Sequence, residues 1–354
     1  MSLLMDHGSW NMDHLRVSDD SMNSPIAIIG AGGWGTALAI TMARHGKEVR
    51  LWAYEPYLVE TMLATRENPL YLPSIPVPES VRISNSMSEV IANAGIVIIA
   101  VPSHVYRSVF TQMLPLVNDD MLFISAAKGI ENNTLMRMSE VLTDVAKPHF
   151  TLRIAAISGP TFAPEVARGE PTALVVASPD AQLRLLLQKE LSGPRFRLYT
   201  NSDLIGVEIA AAIKNIIAIA AGVVDGLGLG SNATAALVTR GLAEITRLVI
   251  ACGGKRETLA GLAGLGDLVL TSYGSLSRNR RVGFALGQGR NIEEVLAGMR
   301  MVAEGVRTSK SAVALARNLD IEMPIVEKMY SVLHEGGKPQ DAIHDLMERK
   351  LKEE

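Results

Sequence analysis

The stretch I-A-I-I-G-A-G-G-W-G, residues 26–35, decides the fold of the first half of the chain. Four apolar residues that predict a buried strand run directly into the glycine pattern G-x-G-x-x-G, and a predicted helix follows. In such a turn Gly30 permits the tight bend, Gly32 lets the backbone approach a pyrophosphate, and Gly35 lets the helix pack closely on the strand. The amino end of the helix adds free N–H groups and a positive dipole end. The pattern therefore predicts a site for NAD or NADP, with a glycine-rich turn lacking a ligand as the alternative.

The end of the second predicted strand bears on which dinucleotide binds. An acidic residue about 20 positions beyond the glycines grips the ribose hydroxyls of NAD, and Glu55 lies close to that position. Tyr54 beside it could stack on the adenine. No arginine stands at this strand end to bind a 2′-phosphate, so the choice between NAD and NADP stays open. A solvated loop is the alternative for both residues.

Apolar runs alternate with helix-like segments from residue 26 to about residue 200, which is typical of a parallel sheet covered on both faces. The predicted strands are 26–29, 49–53, 95–101, 121–126, 154–157, 173–177 and 196–199. Beyond residue 200, alanine, leucine and isoleucine recur at helical spacing. The sequence therefore predicts an α/β Rossmann-type doubly wound N-terminal domain at 24–201 and an all-α C-terminal domain at 202–354. A disordered extension is predicted at 1–23.

The composition limits the classes of partner. A formal net charge of −3 gives no basic excess, so neither nucleic acid nor a membrane is expected as a partner. The single cysteine, Cys252, excludes an intrachain disulfide and fits a cytoplasmic protein. The apolar stretch 204–224 contains Glu208 and Lys214, which would be costly in lipid, so it predicts a buried helix. No histidine or cysteine spacing suggests a metal site.

Lys214 is the most unusual charged residue of the sequence. Its helical neighbours three and four positions away are alanines and isoleucine, and none of them can pair with it. Burial disfavours the charged form of lysine and lowers its pKa, which suits proton exchange with a substrate oxygen near neutral pH. The alternative is a structural lysine that pairs with a carboxylate from elsewhere in the fold.

A polar cluster follows the glycine-rich segment 261–266. Ser277, Arg278 and Asn279 precede two further arginines and form a candidate anion site, because an arginine fork can hold a phosphate. Asp267 could meet Lys214 or a substrate hydroxyl. Lys128 and the turn 158–163 follow predicted strands, and ligands of open α/β sheets bind at strand carboxyl ends. A solvated basic face is the alternative for the arginines.

Seen together, these segments resemble the NAD(P)-dependent glycerol-3-phosphate dehydrogenases of bacterial type, over about residues 26–346. The motifs that carry the resemblance are G-A-G-G-W-G-T at 30–36, N-P-L-Y-L-P at 68–73, A-K-G-I at 127–130, S-G-P-T-F-A at 158–163, A-A-I-K-N-I at 211–216, G-L-G-D-L at 264–268, S-R-N at 277–279 and V-A-E-G at 302–305. Two positions depart from the family pattern. Gly33 stands where the family often has serine or asparagine, and Tyr54 stands where it often has histidine or arginine.

The resemblance implies roles for particular residues. Lys214 is implied to be the proton acceptor, and we expect Asp267 or Lys128 to assist it. The residues implied to contact the substrate are Lys128, Gly159, Thr161, Lys214, Asp267, Ser277, Arg278 and Asn279. Those expected to contact the cofactor are Gly30, Gly32, Gly33, Trp34, Gly35, Tyr54, Lys128, Ala163, Arg278, Val302 and Glu304.

The activity implied by the resemblance is the interconversion of dihydroxyacetone phosphate and sn-glycerol 3-phosphate, which supplies glycerol 3-phosphate for phospholipid synthesis. The resemblance also implies a cytoplasmic homodimer. Two other readings of the sequence stay open. One is a related two-domain dehydrogenase acting on a β-hydroxy acid or a sugar acid. The other is a dinucleotide-sensing regulator, which would need the glycine turn but not a lysine in an apolar helix.

Overall fold

The computed structural model describes residues 24–299, 302–351 and 353. The predicted disordered extension at 1–23 lies outside the described residues. The strands are β1 Ile26–Ile29, β2 Val49–Trp52, β3 Glu67–Asn68, β4 Leu72–Pro76, β5 Val81–Ser84, β6 Ile96–Ile99, β7 Leu122–Ser125, β8 Arg153–Ser158, β9 Thr172–Ala177 and β10 Phe196–Asn201. The helices among them are α1 Gly33–Arg44, α2 Pro56–Thr65, α3 Met87–Ile91, α4 Tyr106–Met113, α5 Met138–Ala146, α6 Ala163–Arg168 and α7 Ala181–Leu191.

Eight strands form one sheet in the order β10-β9-β8-β7-β6-β1-β2-β5, and helices cover both faces. Side chains alternate along β1, because Ile26 and Ile28 enter one hydrophobic cluster whereas Ala27 and Ile29 enter the other. The chain leaves β1 for β2 on one side and later returns to β6 on the other side. The order therefore reverses between β1 and β6, which is where open α/β sheets place their ligand. The Rossmann-type prediction is confirmed.

The apolar runs predict a sheet that is parallel throughout, and this prediction is wrong for one pair of strands. β8 and β9 pair antiparallel, so β9 and β10 run opposite to the other six strands. A continuous apolar strand has the same composition in either direction, so the sequence pattern could not reveal this reversal. Sequence reasoning also missed β5, which has only four residues, and the short antiparallel pair β3–β4, which is rich in polar residues and proline.

The second half of the chain is helical, as predicted. Its helices are α8 Leu204–Gly226, α9 Gly230–Ala251, α10 Asp267–Tyr273, α11 Arg278–Gly287, α12 Ile292–Ala297, α13 Glu304–Asn318, α14 Pro324–His334 and α15 Pro339–Met347. α8 is long and apolar enough to cross a membrane, but its whole apolar window is buried inside the molecule. It is therefore the core helix around which α9, α10, α11 and α13 pack, as in a soluble protein.

The reversal of β9 and β10 positions α8. Because β10 runs opposite to β1, it ends on the side of the sheet where β1 begins, away from the glycine turn. From Leu204, α8 must therefore run back across the molecule. At a rise of 1.5 Å per residue, the ten residues from Leu204 to Lys214 cover about 15 Å. This distance brings Lys214 to the edge where β7 and β8 end.

Candidate active site

The glycine turn is built to lie close to β6. Gly30 has φ +115°, a backbone conformation that L side chains rarely adopt, and an added Cβ would come within 2.9 Å of Val101 Cγ1. A Cβ on Gly35 would lie 1.9 Å from the carbonyl oxygen of Gly30. The turn and the first turn of α1 can be this compact only with glycine at both positions.

The amino end of α1 is open to an anion. Gly32 precedes the helix, no side chain caps it, and its first turn carries no acidic residue. A Cβ on Gly32 would meet nothing within 4 Å, so this face of the turn is free for a ligand. The 12-residue helix therefore offers N–H groups and a positive dipole end, which fit the pyrophosphate of a dinucleotide.

Gly33, one of the two positions that depart from the family pattern, is closely surrounded. A Cβ here would lie 2.8 Å from the carbonyl oxygen of Tyr71 and 3.5 Å from Nη2 of Arg278. With Tyr71 so placed, a side chain at position 33 would need the segment carrying Tyr71 to shift. The same geometry places the guanidinium of Arg278 directly beside the glycine turn.

A cluster of two lysines and one aspartate lies at the carboxyl ends of β7 and β8. Lys214 Nζ donates to Asp267 Oδ1 at 2.6 Å and to Thr271 Oγ1 at 2.6 Å. Lys128 Nζ donates to Asp267 Oδ2 at 2.7 Å and to the carbonyl oxygen of Gly159 at 3.3 Å. One carboxylate is therefore shared by two amines, which come from a strand-end loop and from the core helix.

Burial tunes the protonation of this cluster. Asp267 is 0% exposed and Lys214 is 5% exposed. Burial lowers the pKa of Lys214 to about 7; the ammonium of Lys128 adds to this effect, whereas the charge of Asp267 opposes it. Burial alone would raise the pKa of Asp267, but the two ammonium groups outweigh it and hold that pKa below its usual range. A single carboxylate balances only one ammonium, so Lys214, the more buried amine, can give up its proton.

The structural reading of Lys214 is thus partly right, since the lysine does find a carboxylate from elsewhere in the fold. That carboxylate is Asp267, which begins α10 immediately after a π-helical turn at Leu262–Gly266. Glu208, earlier on α8, is occupied by Ser139, whose backbone N–H donates to it at 2.8 Å. Glu208 and Lys214 therefore have separate partners on separate sides of α8.

The turn after β8, which contains Gly159 and Thr161, contacts the lysine–aspartate cluster. Gly159 has φ +150°, and the hydroxyl of Thr161 donates to its carbonyl oxygen at 3.2 Å. The same carbonyl accepts from Lys128, so the turn and the lysine hold each other in place. Ala163 then begins α6, and its Cβ lies 3.7 Å from the position that a Cβ on Gly33 would occupy.

The three side chains of the Ser-Arg-Asn segment, residues 277–279, have different contacts. The Ser277 side chain caps α11 by accepting from the backbone N–H of Arg280 at 3.2 Å. Asn279 donates to Asn215 Oδ1 at 2.9 Å and accepts from the backbone N–H of Gly305 at 3.1 Å. These contacts tie α8, α11 and α13 together beside the site. They leave the Arg278 side chain between the glycine turn and the helical domain.

Arg278 is a half-buried cation beside the glycine turn. Burial lowers the pKa of its guanidinium, the charge of Arg281 pushes the same way, and Glu304 opposes them. Arg280, the next basic residue of the segment, is paired with Asp225 at 2.7 Å. Arg278 has no carboxylate within ion-pair distance in the described part of the chain. A half-buried guanidinium that has no ion pair within the described residues favours an anionic ligand.

The remaining predicted cofactor residues are Glu304, Val302, Trp34 and Tyr54, and they differ in their contacts and exposure. Glu304 accepts from the backbone N–H of Ser103 at 3.1 Å and from its hydroxyl at 2.6 Å, which links α13 to the end of β6. Val302 precedes it. Trp34 is half-buried in α1, and its indole N–H is buried without a hydrogen-bond partner among the described residues. Tyr54 is 75% exposed, with its ring against Trp52.

Sequence reasoning missed several residues of this site. Thr271 contacts Lys214, and its spacing of four residues from Asp267 could have indicated it. Ser103 could have been suspected from its place after β6. Asn215 was left without a role, and Tyr71 was not considered. No local pattern reveals their contacts, because each partner comes from a distant segment.

The fold and site together define a dinucleotide-dependent oxidoreductase, with a glycine turn, a half-buried arginine beside that turn, and a buried amine whose pKa is lowered. Comparisons with known proteins specify the family. The family models for the N-terminus and the C-terminus of NAD-dependent glycerol-3-phosphate dehydrogenase match residues 25–184 and 203–344. The chain therefore belongs to the NAD-dependent glycerol-3-phosphate dehydrogenase family, as the sequence motifs had indicated.

Similar proteins agree with this assignment over nearly the whole chain. A relative from Koribacter versatilis, named glycerol-3-phosphate dehydrogenase (NAD(P)+), is 56% identical over 328 residues, covering 92% of this chain and 97% of its own. A relative of the same name from Syntrophotalea carbinolica is 52% identical, covering 93% and 99%. The crystal structure of glycerol-3-phosphate dehydrogenase from Coxiella burnetii superimposes with a TM-score of 0.88 at 44% identity, covering 93% of this chain and 100% of that one.

Proposed function

We propose that this enzyme interconverts dihydroxyacetone phosphate and sn-glycerol 3-phosphate with NAD or NADP, and so supplies glycerol 3-phosphate for phospholipid synthesis. The observation that carries the proposal is the buried Lys214, which shares Asp267 with Lys128. Arg278 extends from the helical domain to the glycine turn. These contacts support a site in which Lys214 exchanges a proton and Arg278 binds a phosphate next to the dinucleotide turn.

We assign the substrate phosphate to Arg278, with Ser277 and Asn279 beside it. The guanidinium fork can bind two phosphate oxygens, which fixes the orientation of a three-carbon substrate. The hydroxyl of Ser277 retains its proton as a donor while its oxygen caps α11. Holding the phosphate positions C2 before any bond changes, so an encounter becomes an oriented complex.

Lys214 carries the proton in this mechanism. When bound, the nicotinamide of the cofactor accepts a hydride from C2 or delivers one to it. In oxidation, neutral Lys214 takes the proton of the C2 hydroxyl as the carbonyl forms; in reduction, its ammonium returns that proton to the C2 oxygen. Thr271 and Asp267 hold the amine in place.

Lys128 and the turn at Gly159–Thr161 complete the substrate pocket. The ammonium of Lys128 stabilises negative charge that develops on the C2 oxygen. Gly30, Gly32, Gly33 and Gly35 hold the pyrophosphate. We further assign cofactor contacts to Trp34, Tyr54, Ala163, Val302 and Glu304.

Assembly and location extend the proposal. We infer that the protein is a cytoplasmic homodimer that binds neither nucleic acid nor a membrane, with domains divided at 201/202. The negative net charge and the burial of α8 support the absence of nucleic acid and membrane partners. Leu265, Val269 and Tyr273 form an apolar stripe, 40–47% exposed, that could be covered by a second copy. Analytical ultracentrifugation at micromolar concentration tests the dimer, and a monomeric mass would contradict it.

The activity is tested by following nicotinamide absorbance with dihydroxyacetone phosphate, first with NADH and then with NADPH. We expect reduction with at least one of them, and no reduction of 3-oxo acids, the oxidised counterparts of β-hydroxy acids, at the same concentration. Dinucleotide binding without turnover of dihydroxyacetone phosphate would overturn the proposal and favour a sensor.

A further inference from the structure

The carboxyl end of β2 presents an acidic group next to the glycine turn. The backbone N–H of Gly30 donates to the carbonyl oxygen of Trp52 at 3.1 Å, so the chain leaves β2 alongside the turn. Glu55 follows three residues later, at the start of α2. In dinucleotide-binding folds the adenosine ribose lies over this strand end. Glu55 is therefore positioned to meet the ribose hydroxyls.

A chain of hydrogen bonds connects this carboxylate to the glycine turn. The Asn68 side chain donates to the carbonyl oxygen of Ala31 at 2.8 Å, and its own Oδ1 accepts from the backbone N–H of Tyr71 at 3.0 Å. The Tyr71 hydroxyl then donates to Glu55 Oε1 at 3.1 Å. Because Asn68 is fully buried, the chain is anchored, and it holds Glu55 at a set position relative to the turn.

The tyrosine acts as a donor in this chain. Burial raises the pKa of the Tyr71 hydroxyl, and the charge of Glu55 raises it further, so the phenol keeps its proton. Its single O–H occupies one carboxylate oxygen and leaves Oε2 of Glu55 with its acceptor capacity. That oxygen can accept a hydrogen bond from a ribose hydroxyl.

No cation balances this carboxylate. In the described ranges Glu55 forms no ion pair, and Tyr54 occupies the position where the family often has a cation. Among the arginines of the neighbouring elements, Arg50 pairs with Glu48 at 3.0 Å and Arg66 pairs with Glu79 at 3.2 Å, whereas the 73% exposed side chain of Arg82 lies 3.7 Å from Glu48. A 2′-phosphate here would meet the negative charge of Glu55, which no guanidinium of the described residues neutralises by an ion pair.

We propose that Glu55, oriented by Tyr71, makes this enzyme select NAD over NADP, an inference that rests on the dinucleotide site of the proposed function. The free carboxylate oxygen accepts a hydrogen bond from the 2′-hydroxyl of NAD. The 2′-phosphate of NADP brings like charge against it, and such juxtaposition is a common basis of discrimination. Tyr71 is a positioning residue, since it acts on the ribose through Glu55.

Direct binding to the full chain tests the proposal without catalysis. Isothermal titration calorimetry with NADH and with NADPH, in the absence of triose phosphate, gives the ratio of their Kd values. We expect wild-type protein to bind NADH about 100-fold more tightly. Glu55→Gln keeps an acceptor for Tyr71 but removes the charge, so the ratio should fall below about tenfold, mainly through tighter NADPH binding.

Two further variants separate position from charge. Tyr71→Phe retains the carboxylate but frees it, so NADH binding should weaken about fivefold while NADPH binding changes little. Glu60→Gln removes the same charge from the exposed face of α2 and should leave the ratio unchanged. Equal wild-type affinity for the two dinucleotides, or the same shift in Glu60→Gln as in Glu55→Gln, would overturn the selectivity. If neither dinucleotide binds, the proposed function itself fails, and the selectivity fails with it.

Discussion

The glycine turn and the lysine–aspartate cluster are built in opposite ways. The turn spans Gly30 to Gly35 and consists of backbone, packed closely on itself and on the segment after β6. The cluster consists of side chains from Lys128, Lys214 and Asp267, and the contact between the first and the last spans 139 positions. The conformation of the turn therefore requires residues without a Cβ, whereas the cluster requires charged side chains. Substitutions should damage the two regions in different measurable ways.

The largest effect is expected for Lys214→Ala. Without the amine, the proton of the C2 oxygen has no acceptor, so kcat should fall about 1,000-fold or more, whereas the Kd of NADH should change less than about threefold. Stopped-flow kinetics and calorimetry measure the two quantities. Lys189→Ala, which removes an exposed lysine from α7, is the matched control. A near-normal kcat in Lys214→Ala would remove the cluster from the chemistry.

Arg278→Ala probes the junction of the two regions. Losing the guanidinium should lower kcat/KM for dihydroxyacetone phosphate about 100-fold, because a buried charge-assisted contact to phosphate is lost. Unphosphorylated dihydroxyacetone supplies the comparison, and its slow reduction should change far less. Equal losses on both substrates would mean that Arg278 supports the fold or the cofactor rather than the phosphate.

Gly35→Ala and Gly32→Ala separate packing from binding within the turn. A Cβ on Gly35 would collide with the Gly30 carbonyl, so the free energy of unfolding should fall by about 1–3 kcal/mol. Gly32 has φ −65° and open space around it, so Gly32→Ala should alter stability by less than about 0.5 kcal/mol and yet weaken NADH binding. Urea unfolding and calorimetry distinguish these outcomes. A stable Gly35→Ala protein would show that the turn has room to relax.

The smallest expected effect is in the pH profile. The pKa of Lys214 is lowered to about 7, so the amine is neutral above that pH and protonated below it. Glycerol 3-phosphate oxidation needs the neutral amine; kcat should therefore rise about tenfold per pH unit below 7 and level off above it. Reduction needs the ammonium and should show the reverse.

Lys128→Met sharpens the same measurement. Removing the second ammonium takes away a repulsion and leaves Asp267 to Lys214 alone, so the midpoint of the profile should move to higher pH. An unchanged midpoint would mean that Lys128 does not influence the protonation of Lys214. The Lys128→Met variant needs only enough activity for the midpoint of its pH profile to be measured.

Much of the fold was predictable because its signals are local. The seven predicted strands were found, and the helical second half was recognised from its periodicity. The antiparallel pairing of β8 and β9 was not, since hydrophobic burial is indifferent to chain direction. The strand β5 was missed because its alternating residues give too short a signal.

The sequence by itself determined the glycine turn and the family, because a missing Cβ and an ordered set of motifs are visible in the chain without knowledge of its partners. Only the tertiary structure decided that Lys214 shares Asp267 with Lys128, that Thr271 joins them, and that Tyr71 fixes Glu55. The physical reason is that the pKa and the function of an ionisable group in a folded protein depend on its surroundings. Those surroundings come from segments that only folding brings together.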